Sequence, residues 1–481
     1  MSLSLTSPVA LMDRFVAIVG RAHVLHDPAD LVRYNADGRQ ATGMAGMVLR
    51  PGSTAEVSAL MRLAAQERLT LVPQGARTGL VGAGLAGAGR DAERIILSLD
   101  RLARSPVVDP LNRSMEVDAG VLLSTVNAAA GEHGLVFPID LGADPSVGGM
   151  VATNTGGARL LRYGDVRRNL LGVEAVLADG AGTVVTLGRG VWKDNSGLDL
   201  KHLLAGAAGS LGIVTRATLA LQPRPTGAVT AMLALDEPES ALSLLLELEA
   251  TFGTLLTAFE GMSRAALTAA FAHVPRLRHP FAGETPAYAV LVEVSAGPVM
   301  GEAALEEALG AALLPHMAGN AATIRDVAID RRDDLWAIRH AIPEGLRSAG
   351  KVVGCDIALR RGDVMRFRQD VAARLAAIAP QLVLHDFGHI GDGGLHFNLV
   401  WPHAAGPFDA AVAEQGRAAV FAATVEDYGG SFSAEHGIGP VNQAYYARFV
   451  PVVERRLAGA IQALLAPQTL GRVDFGSGET A

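Results

Sequence analysis

Glycine is concentrated in four short segments of the first half of the chain, and these segments constrain the fold more than any other feature. The sequence has 55 glycines among 481 residues, which is about 11 % against a usual ~7 %. Glycine allows backbone N–H groups to approach a ligand closely. Together the segments predict one extended cofactor that contains a nucleotide; they are 73–80 (PQGARTGL), 82–87 (GAGLAG), 140–157 (DLGADPSVGGMVATNTGG) and 206–214 (GAAGSLGIV).

The segment at 82–87 also matches the G-x-G-x-x-G pattern of dinucleotide-binding folds. In those folds the pattern follows a strand, opens a helix and precedes an acidic residue by about 20 positions. Residues 77–81 are a poor first strand and residues 89–91 are a poor helix start. We therefore expect no nicotinamide site here.

The first half of the chain alternates short strands with helices, which predicts an α/β domain. Ser53 and Glu56 form a capping box ahead of a helix with one buried stripe, made of Val57, Leu60, Met61 and Ala64. Strands are predicted at 47–49, 69–72 and 115–118, a helix at 122–132, and a hairpin of 173–177 and 183–187 around Asp179 and Gly180.

Two prolines, Pro223 and Pro225, indicate a domain boundary, because proline ends regular structure and stiffens a linker. Beyond them, strands at 229–235, 255–260, 288–294, 352–359 and 382–387 alternate with helices at 237–251 and 302–314. This pattern predicts an antiparallel sheet covered by helices. After about residue 405 the chain is predicted to be mostly helical to residue 465. The predicted domains are 1–223, 224–410 and 411–481.

Composition excludes several classes of protein. The net charge is −8, aromatic residues make up 5 %, and there is no basic block, so nucleic acid is not an expected partner. The single cysteine, Cys355, excludes an internal disulfide or a multi-thiolate metal site. No apolar run approaches the ~20 residues of a membrane span, and the N-terminus lacks a signal-peptide pattern. We expect a cytoplasmic protein that is not integral to a membrane.

A histidine cluster carries the most chemical information. Residues 388–398 (GHIGDGGLHFN) read as a strand, a glycine turn and a returning strand, a hairpin that can bring His389 and His396 to one side. The segment 433–439 (SAEHGIG) adds Glu435 and His436. Two histidines and a glutamate suit a catalytic Zn²⁺ site with open positions, and iron or manganese also fits this ligand type.

The neighbouring residues Glu435 and His436 are expected to have different roles. Adjacent side chains of an extended segment point apart, so His436 is not expected to bind the same ion as Glu435. It is instead a candidate general base. The alternative is a cluster of hydrogen-bonded core histidines without a metal. His202, His385 and His403 are expected to be ordinary histidines.

These segments together resemble the FAD-linked D-2-hydroxy acid dehydrogenases, the D-lactate, glycolate and D-2-hydroxyglutarate dehydrogenase group of the vanillyl-alcohol-oxidase/PCMH flavoprotein superfamily. The resemblance spans about residues 40–470. Besides the motifs quoted above, it is carried by 160–180 (LLRYGDVRRNLLGVEAVLADG) and 193–215 (KDNSGLDLKHLLAGAAGSLGIVT). It implies an α+β fold, with a PCMH-type FAD-binding domain, an antiparallel-sheet cap domain for the substrate and a helical C-terminal segment that returns to the FAD domain.

The resemblance implies which residues contact FAD. No histidine lies in 73–90, where covalently flavinylated relatives carry one, so FAD is expected to be non-covalent. The implied cofactor-binding residues are Pro73, Gly75, Ala76, Arg77, Thr78, Gly79, Leu80, Asp140, Leu141, Ser146, Gly149, Asn154, Gly156, Gly209 and Ile213.

The resemblance also implies the roles of the polar residues. His389, His396 and Glu435 would bind a divalent metal, usually zinc, and His436 would be the base. Arg339, in the Trp-x-x-Arg context of 336–339, would clamp the substrate carboxylate, since a guanidinium can pair with it through two hydrogen bonds. By itself Arg339 would be read as an exposed helix arginine. Arg339, Asn398 and His436 are the implied substrate-binding residues.

Two departures from the family pattern bear on the substrate. The threonine and lysine that bind a distal carboxylate in hydroxyglutarate-specific members correspond to Pro343 and Gly354 here, although Arg347 or Lys351 could substitute. This favours a substrate with a single carboxylate, such as D-lactate. The usual C-terminal Leu-Asn-Pro-Gly-Lys is reduced to 470–472 (LGR), which weakens the expectation of a flavin contact there.

The implied activity is metal-assisted oxidation of a D-2-hydroxy acid to the 2-oxo acid, with hydride transfer to flavin N5. The electron acceptor would be a flavoprotein, quinone or cytochrome; oxygen and a homodimer stay open. Alternatives are a D-2-hydroxyglutarate dehydrogenase and a non-catalytic flavin-binding subunit of a larger dehydrogenase. From the residues alone, a metallohydrolase that uses the two histidines and the glutamate also stays open.

Overall fold

The computed structural model describes residues 8–38, 43–87, 94–318, 322–330 and 332–476. Residues 1–7, part of the segment read for a signal peptide, and residues 89–91 lie outside this range. The fold class is α+β, as predicted.

The helices are α1 (Pro8–Val19), α2 (Pro28–Leu31), α3 (Thr54–Glu67), α4 (Leu123–Gly131), α5 (Val147–Thr153), α6 (Leu160–Tyr163), α7 (Ala241–Phe252), α8 (Arg264–His273), α9 (Glu302–Leu313), α10 (Arg332–Ala349), α11 (Val364–Ile378), α12 (Ala410–Ala422), α13 (Gln443–Phe449) and α14 (Val452–Leu465).

The strands are β1 (Val24–Leu25), β2 (Val48–Leu49), β3 (Leu71–Gln74), β4 (Ile95–Ser98), β5 (Val107–Asp109), β6 (Ser114–Asp118), β7 (Leu135–Val136), β8 (Leu170–Val176), β9 (Val184–Leu187), β10 (Ile213–Ala220), β11 (Gln222–Pro223), β12 (Gly227–Leu235), β13 (Leu256–Ser263), β14 (Tyr288–Ala296), β15 (Ile324–Asp330), β16 (Gly350–Val353), β17 (Asp356–Ala358), β18 (Val383–Gly388) and β19 (Gly394–Pro402).

The chain forms two compact units. The first contains Met1–Thr155, Asp165–Pro223 and Glu435–Ala481, and the second contains Gly156–Gly164 and Arg224–Ala434. One unit border falls at the Pro223–Arg224 bond, within the proline-marked linker. Residues 411–434, which the sequence pattern groups with the C-terminal segment, belong to the second unit.

The first unit holds a four-stranded sheet of order β1-β2-β4-β3 and a five-stranded sheet of order β5-β6-β10-β8-β9. Strands β2 and β3 both run parallel to β4, and α3 connects them, so the predicted alternation of strand and helix forms a β-α-β unit here. The Ser53 hydroxyl accepts a hydrogen bond from the Glu56 N–H at 3.2 Å, and the predicted stripe on α3 is buried. The Glu56 carboxylate accepts from the Gly52 N–H at 2.8 Å, one residue earlier than a capping box requires. The hairpin around Asp179 is confirmed as β8 and β9.

The second unit is built on an eight-stranded sheet of order β15-β12-β14-β13-β18-β19-β16, with β17 also paired to β19. All of its strand pairs are antiparallel, as predicted. Helices α8 and α10 pack on one face, which we call the α10 face; its apolar strand residues are Met232, Ala258, Met262, Ala289, Leu291, Phe387 and Val400.

Strand alternation assigns further residues to the α10 face, because side chains two positions apart point to the same side of a sheet. By this rule Glu260 on β13, Glu293 on β14, and His396 and Asn398 on β19 share the α10 face. Two polar residues that the sequence singled out, His396 and Asn398, therefore lie on the sheet face that α10 covers.

Among the described residues, none of the helices has both the length and the apolar composition that crossing a bilayer requires.

We predict that the buried ion pair of Arg368 and Asp386 stabilises the second unit. Asp386 is fully buried, accepts from Arg368 Nη2 at 3.0 Å, and the guanidinium lies 4.3 Å from the Tyr288 ring centroid. Arg368→Met would leave an unpaired carboxylate in the core and should lower the free energy of unfolding by about 3–5 kcal/mol.

Urea denaturation followed by circular dichroism measures this loss. The control is Arg374→Met on the same helix, whose ion pair with Asp427 is about half exposed on both sides. That variant should change little, since exposed pairs contribute at most about 1 kcal/mol. Equal losses in the two variants would contradict the prediction.

Candidate active site

The glycine loop after β3 lies against the start of α5 in the first unit. Ser146 is the N-cap of α5, and its hydroxyl accepts from the Gly149 N–H at 3.4 Å. A Cβ on Gly75 would lie 2.2 Å from the Ser146 hydroxyl oxygen, so only glycine allows this approach. The predicted segments 73–80 and 140–157 are therefore brought together.

The glycine segment 206–214 packs against the same two segments. A Cβ on Gly209 would lie 3.3 Å from the Pro73 ring, and a Cβ on Gly206 would lie 3.5 Å from that of Asn154. Both glycines have positive φ, which other residues rarely adopt. The segment 82–87 joins through Gln74, whose side-chain nitrogen donates to the Gly84 carbonyl at 2.7 Å.

Two buried polar atoms mark the converging segments as a place for a polar ligand. Among the described residues, the hydroxyl of Ser210 and the side-chain oxygen of Gln74 are buried and have no protein hydrogen-bond partner. Buried polar groups in proteins are nearly always hydrogen-bonded. The four segments therefore fit an extended polar cofactor, and backbone approach and unmet hydrogen bonds point to the same site.

Two of the predicted cofactor residues are used within the protein. The side chain of Ile213 is 1 % exposed and packs in the hydrophobic core. The Asn154 amide donates to Asp165 at 2.7 Å and accepts from the Arg167 N–H at 2.8 Å. Asn154 thus braces the turn at the end of α5. The predicted residue Gly156 belongs to the second unit.

The shortened C-terminal motif lies beside the glycine segments of the first unit. Leu470 forms a bridge with Leu71 of β3, and the Gly471 N–H donates to the Leu71 carbonyl at 2.8 Å. The Arg472 guanidinium donates to the Leu85 carbonyl at 3.1 Å. The family motif is shortened here, but residues 470–472 still lie next to the predicted cofactor site.

The predicted histidine hairpin forms in the second unit from β18, a glycine turn and β19. The rings of His389 and His396 are 5.3 Å apart between centroids, and their ligand nitrogens lie within 4.8 Å of one another. The turn is tight because Gly393 has a φ of +91° and its backbone approaches the Leu359 carbonyl. The expectation that the hairpin brings both imidazoles together is confirmed.

Glu260 is the residue that sequence reasoning missed. Its side chain is 1 % exposed on β13, with one oxygen 2.5 Å from His389 Nδ1 and the other accepting from Arg339 Nε at 2.8 Å. Burial raises the pKa of this carboxyl, but the charges and hydrogen bonds of His389 and Arg339 outweigh it and lower the pKa to about 2. Its only signal in the sequence is a charge within an apolar strand.

His396, like His389, has a carboxylate near its Nδ1 atom. Its Nδ1 lies 3.5 Å from Asp356, the residue that opposes it across the β17–β19 pair. Both hairpin histidines thus face a carboxylate with Nδ1. In metal sites this arrangement fixes the ring and leaves Nε2 as the ligand atom.

Arg339 and Trp336, the two ends of the Trp-x-x-Arg motif, are held on α10 by buried glutamates. Arg339 is 8 % exposed, and its guanidinium lies 4.6 Å from the Phe387 ring centroid. Trp336 donates its indole N–H to Glu293 at 2.9 Å. Arg339 is therefore a fixed group on the α10 face and not an exposed helix residue.

The remaining predicted residues are Asn398, which lies on β19, and Glu435 and His436, which follow a residue hydrogen-bonded to β17. The Asn398 amide, half-buried on the α10 face, donates to the His396 carbonyl at 3.2 Å. The Ala434 N–H donates to the Asp356 carbonyl at 3.2 Å. Glu435 and His436 are the next two residues, and consecutive Cα atoms are about 3.8 Å apart.

Two sequence families match this chain. Residues 45–188 match the family described as FAD binding domain, and residues 224–470 match the family described as FAD linked oxidases, C-terminal domain. The second match covers about half of the 481 residues.

Similar proteins are found among curated sequences and solved structures. The chain is 34 % identical over 453 residues to a D-2-hydroxyglutarate dehydrogenase of Xanthomonas citri pv. viticola, covering 92 % of both. It is 31 % identical over 459 residues to the mitochondrial D-2-hydroxyglutarate dehydrogenase of Arabidopsis thaliana, covering 94 % of this chain and 79 % of that one. Its fold matches p-cresol methylhydroxylase with substrate bound at a TM-score of 0.69, 14 % identity and coverages of 97 % and 96 %. The predicted PCMH-type fold is confirmed.

We predict that Gly75→Ala lowers the FAD content of the purified protein, because the new methyl group would collide with the Ser146 hydroxyl and push the loop away. The ratio of flavin to protein absorbance measures the loss. Gly46→Ala is the matched control, since nothing lies within 4 Å of a Cβ there; it should keep its full FAD content.

A double variant separates the collision from other effects. In Gly75→Ala/Ser146→Ala the colliding oxygen is removed, so the FAD content should return to that of Ser146→Ala alone. If Gly75→Ala lowers the FAD content as much in the Ser146→Ala background as in the parent protein, the collision is not the cause.

Proposed function

Because the chain belongs to the FAD-linked oxidase family of the vanillyl-alcohol-oxidase/PCMH superfamily, in its D-2-hydroxy acid dehydrogenase group, we propose that it oxidises a D-2-hydroxy acid to the 2-oxo acid with metal assistance. It is an FAD-dependent oxidoreductase that acts on a CH–OH group. One observation carries the finer proposal: a single buried carboxylate, Glu260, holds both the predicted metal ligand His389 and the predicted carboxylate clamp Arg339.

FAD, when bound, would supply the hydride acceptor for the oxidation. The converging glycine segments would hold it through backbone N–H groups and through Ser146, Ser210 and Gln74. Residues 73–90 contain no histidine, which supports non-covalent binding.

The metal ligands would be His389, His396 and Glu435. The two imidazoles have the separation and the carboxylate partners of a metal site. Glu435 follows directly on Ala434, which is hydrogen-bonded to the backbone of Asp356 opposite His396. A divalent cation such as Zn²⁺, when bound, supplies a Lewis acid for the substrate hydroxyl.

The protein's own groups would bind the substrate and move its proton. Arg339 uses Nε for Glu260, and its two Nη groups can pair with the substrate carboxylate. The C2 hydroxyl proton would pass to an imidazole nitrogen of His436. Asn398, on the α10 face beside His396, would orient the hydroxyl or the carboxylate.

A single-carboxylate substrate is favoured by what lies around Arg339. Pro343 and Gly354 offer no side-chain donor. Arg347 is bound to Glu344 on an exposed part of α10. Lys351 pairs in register with Trp401, which is five residues from His396 and on the opposite sheet face. At about 3.3 Å per residue, the Lys351 position is more than 15 Å from His396 along the strand.

D-2-hydroxyglutarate is the second candidate, because it is the substrate named for relatives that share 31–34 % identity over nearly the whole chain. Its distal carboxylate would then be bound by residues other than those of the hydroxyglutarate-specific pattern.

The reduced flavin would pass its electrons to a flavoprotein, quinone or cytochrome. We also propose that the protein is located in the cytoplasm and forms a homodimer.

We predict that His436→Ala keeps bound FAD but loses reduction of the flavin by substrate, by at least about 10²-fold, as expected when a general base is removed. Anaerobic stopped-flow bleaching of the flavin measures it. His403→Ala, at an exposed histidine of the second unit, is the control and should be reduced at the normal rate. Normal bleaching in His436→Ala would refute the assignment.

A substrate panel tests the single-carboxylate preference. Anaerobic flavin reduction should give D-lactate a kcat/KM at least equal to that of D-2-hydroxyglutarate, because Pro343 and Gly354 stand where hydroxyglutarate-specific members carry the side chains that bind a second carboxylate. L-lactate is the stereochemical control. A preference of tenfold or more for the diacid would favour the second candidate.

A further inference from the structure

The Glu260 carboxylate joins two elements whose proposed roles differ. His389 comes from the turn between β18 and β19, and Arg339 comes from α10, yet each meets a different oxygen of the same side chain. The partners lie 129 and 79 residues away in sequence. Local chain geometry therefore does not explain their meeting at one carboxylate.

A purely structural ion pair would look different, and the same sheet provides an example. Glu293 on β14 shares the α10 face with Glu260, is also 1 % exposed, and binds Arg159 at 2.8 Å. It also accepts hydrogen bonds from Trp336 and Thr257. Glu293 thus matches Glu260 in burial, sheet face and pairing with an arginine, and differs in its partners.

We propose that Glu260 is a positioning residue that sets the ring orientation of His389 and the place of the Arg339 guanidinium together, and so links metal binding to substrate-carboxylate binding. This inference rests on the proposed function. Glu260 touches neither substrate nor metal in it and acts through its two partners.

The donor and acceptor chemistry of the carboxylate explains why this position calls for glutamate. A carboxylate accepts on both oxygens, so it can take the Nδ1–H of His389 and the Nε–H of Arg339 at once. His389 then presents its Nε2 lone pair to a metal. No neutral side chain of the same shape can accept from both partners.

The variant Glu260→Gln changes one oxygen to an NH₂ group without changing the shape. If the NH₂ group faces Arg339, two donors meet and the guanidinium loses its acceptor. If it faces His389, the ring must accept through Nδ1 and carry its proton on Nε2, the atom needed by the metal. Either arrangement weakens one of the two linked functions, and exchange between them weakens both.

The test compares Glu260→Gln with Glu293→Gln as FAD-loaded proteins. We expect Glu260→Gln to hold Zn²⁺ at least tenfold more weakly in a competition with EDTA, measured by elemental analysis, and to show at least a tenfold higher KM for D-lactate with a smaller change in kcat. Glu293→Gln should melt at a lower temperature but keep its zinc affinity and KM within twofold. Both should keep their FAD.

The position of the ring proton gives a readout that a structural role would not move. ¹⁵N NMR of histidine-labelled protein stripped of metal should show His389 protonated on Nδ1 in the parent, with Nε2–H population gained in Glu260→Gln and not in Glu293→Gln. If Glu260→Gln does not fold, Glu260→Asp takes its place; it keeps two acceptor oxygens but is one methylene shorter, and should lose zinc affinity by a smaller factor.

The outcomes separate the inference from the proposed function. If Glu260→Gln melts earlier but keeps its zinc affinity, KM and His389 tautomer, as Glu293→Gln is expected to, Glu260 is only structural and the inference is wrong. If the parent binds no divalent cation, the metal part of the proposed function fails. The inference is then tested by the His389 tautomer and the KM for D-lactate alone. If neither differs between Glu260→Gln and the parent, the inference is wrong.

Discussion

One buried carboxylate, that of Glu260, fixes the geometry on which the polar chemistry of the second unit depends. A buried charge is costly unless it is paired and hydrogen-bonded, and Glu260 is paired on both oxygens, with His389 and with Arg339. Its partners come from the β18–β19 turn and from α10. Moving either element alone would leave a charge unpaired in the core, so the pairing restricts the two elements to one arrangement.

The candidate sites of the two units are formed by different kinds of chemical groups. In the first unit the site is made by backbone, because glycines such as Gly75 and Gly209 let separate loops approach each other within the space of one side chain. In the second unit it is made by charged side chains on one sheet face, where alternation places Glu260 and His396 among apolar neighbours. A cofactor with many hydrogen-bonding groups suits the first, and a small anionic substrate suits the second.

The sequence predicts local features well and long-range partners poorly. The α3 stripe, the glycine turn between His389 and His396 and the antiparallel sheet follow from spacing and residue type within about 20 residues. Glu260 carries no motif, and its partners are 79 and 129 residues away. Resemblance identified Arg339 through its tryptophan, but only the fold shows that a glutamate holds it. Ile213 lies in a conspicuous motif and is nevertheless a core residue.

The spacing of the Trp-x-x-Arg motif has a geometric reason in this fold. Residues three apart lie on one face of a helix, and at 1.5 Å per residue they are separated by about 4.5 Å along its axis. Neighbouring strands of a sheet are about 4.7–4.9 Å apart. One face of α10 can therefore reach two adjoining strands, with Trp336 bound to Glu293 on β14 and Arg339 bound to Glu260 on β13. A motif with one residue fewer would turn one side chain away from the sheet, because residues two apart on a helix are rotated by about 200° from one another. The three-residue spacing thus lets one face of α10 meet both buried glutamates.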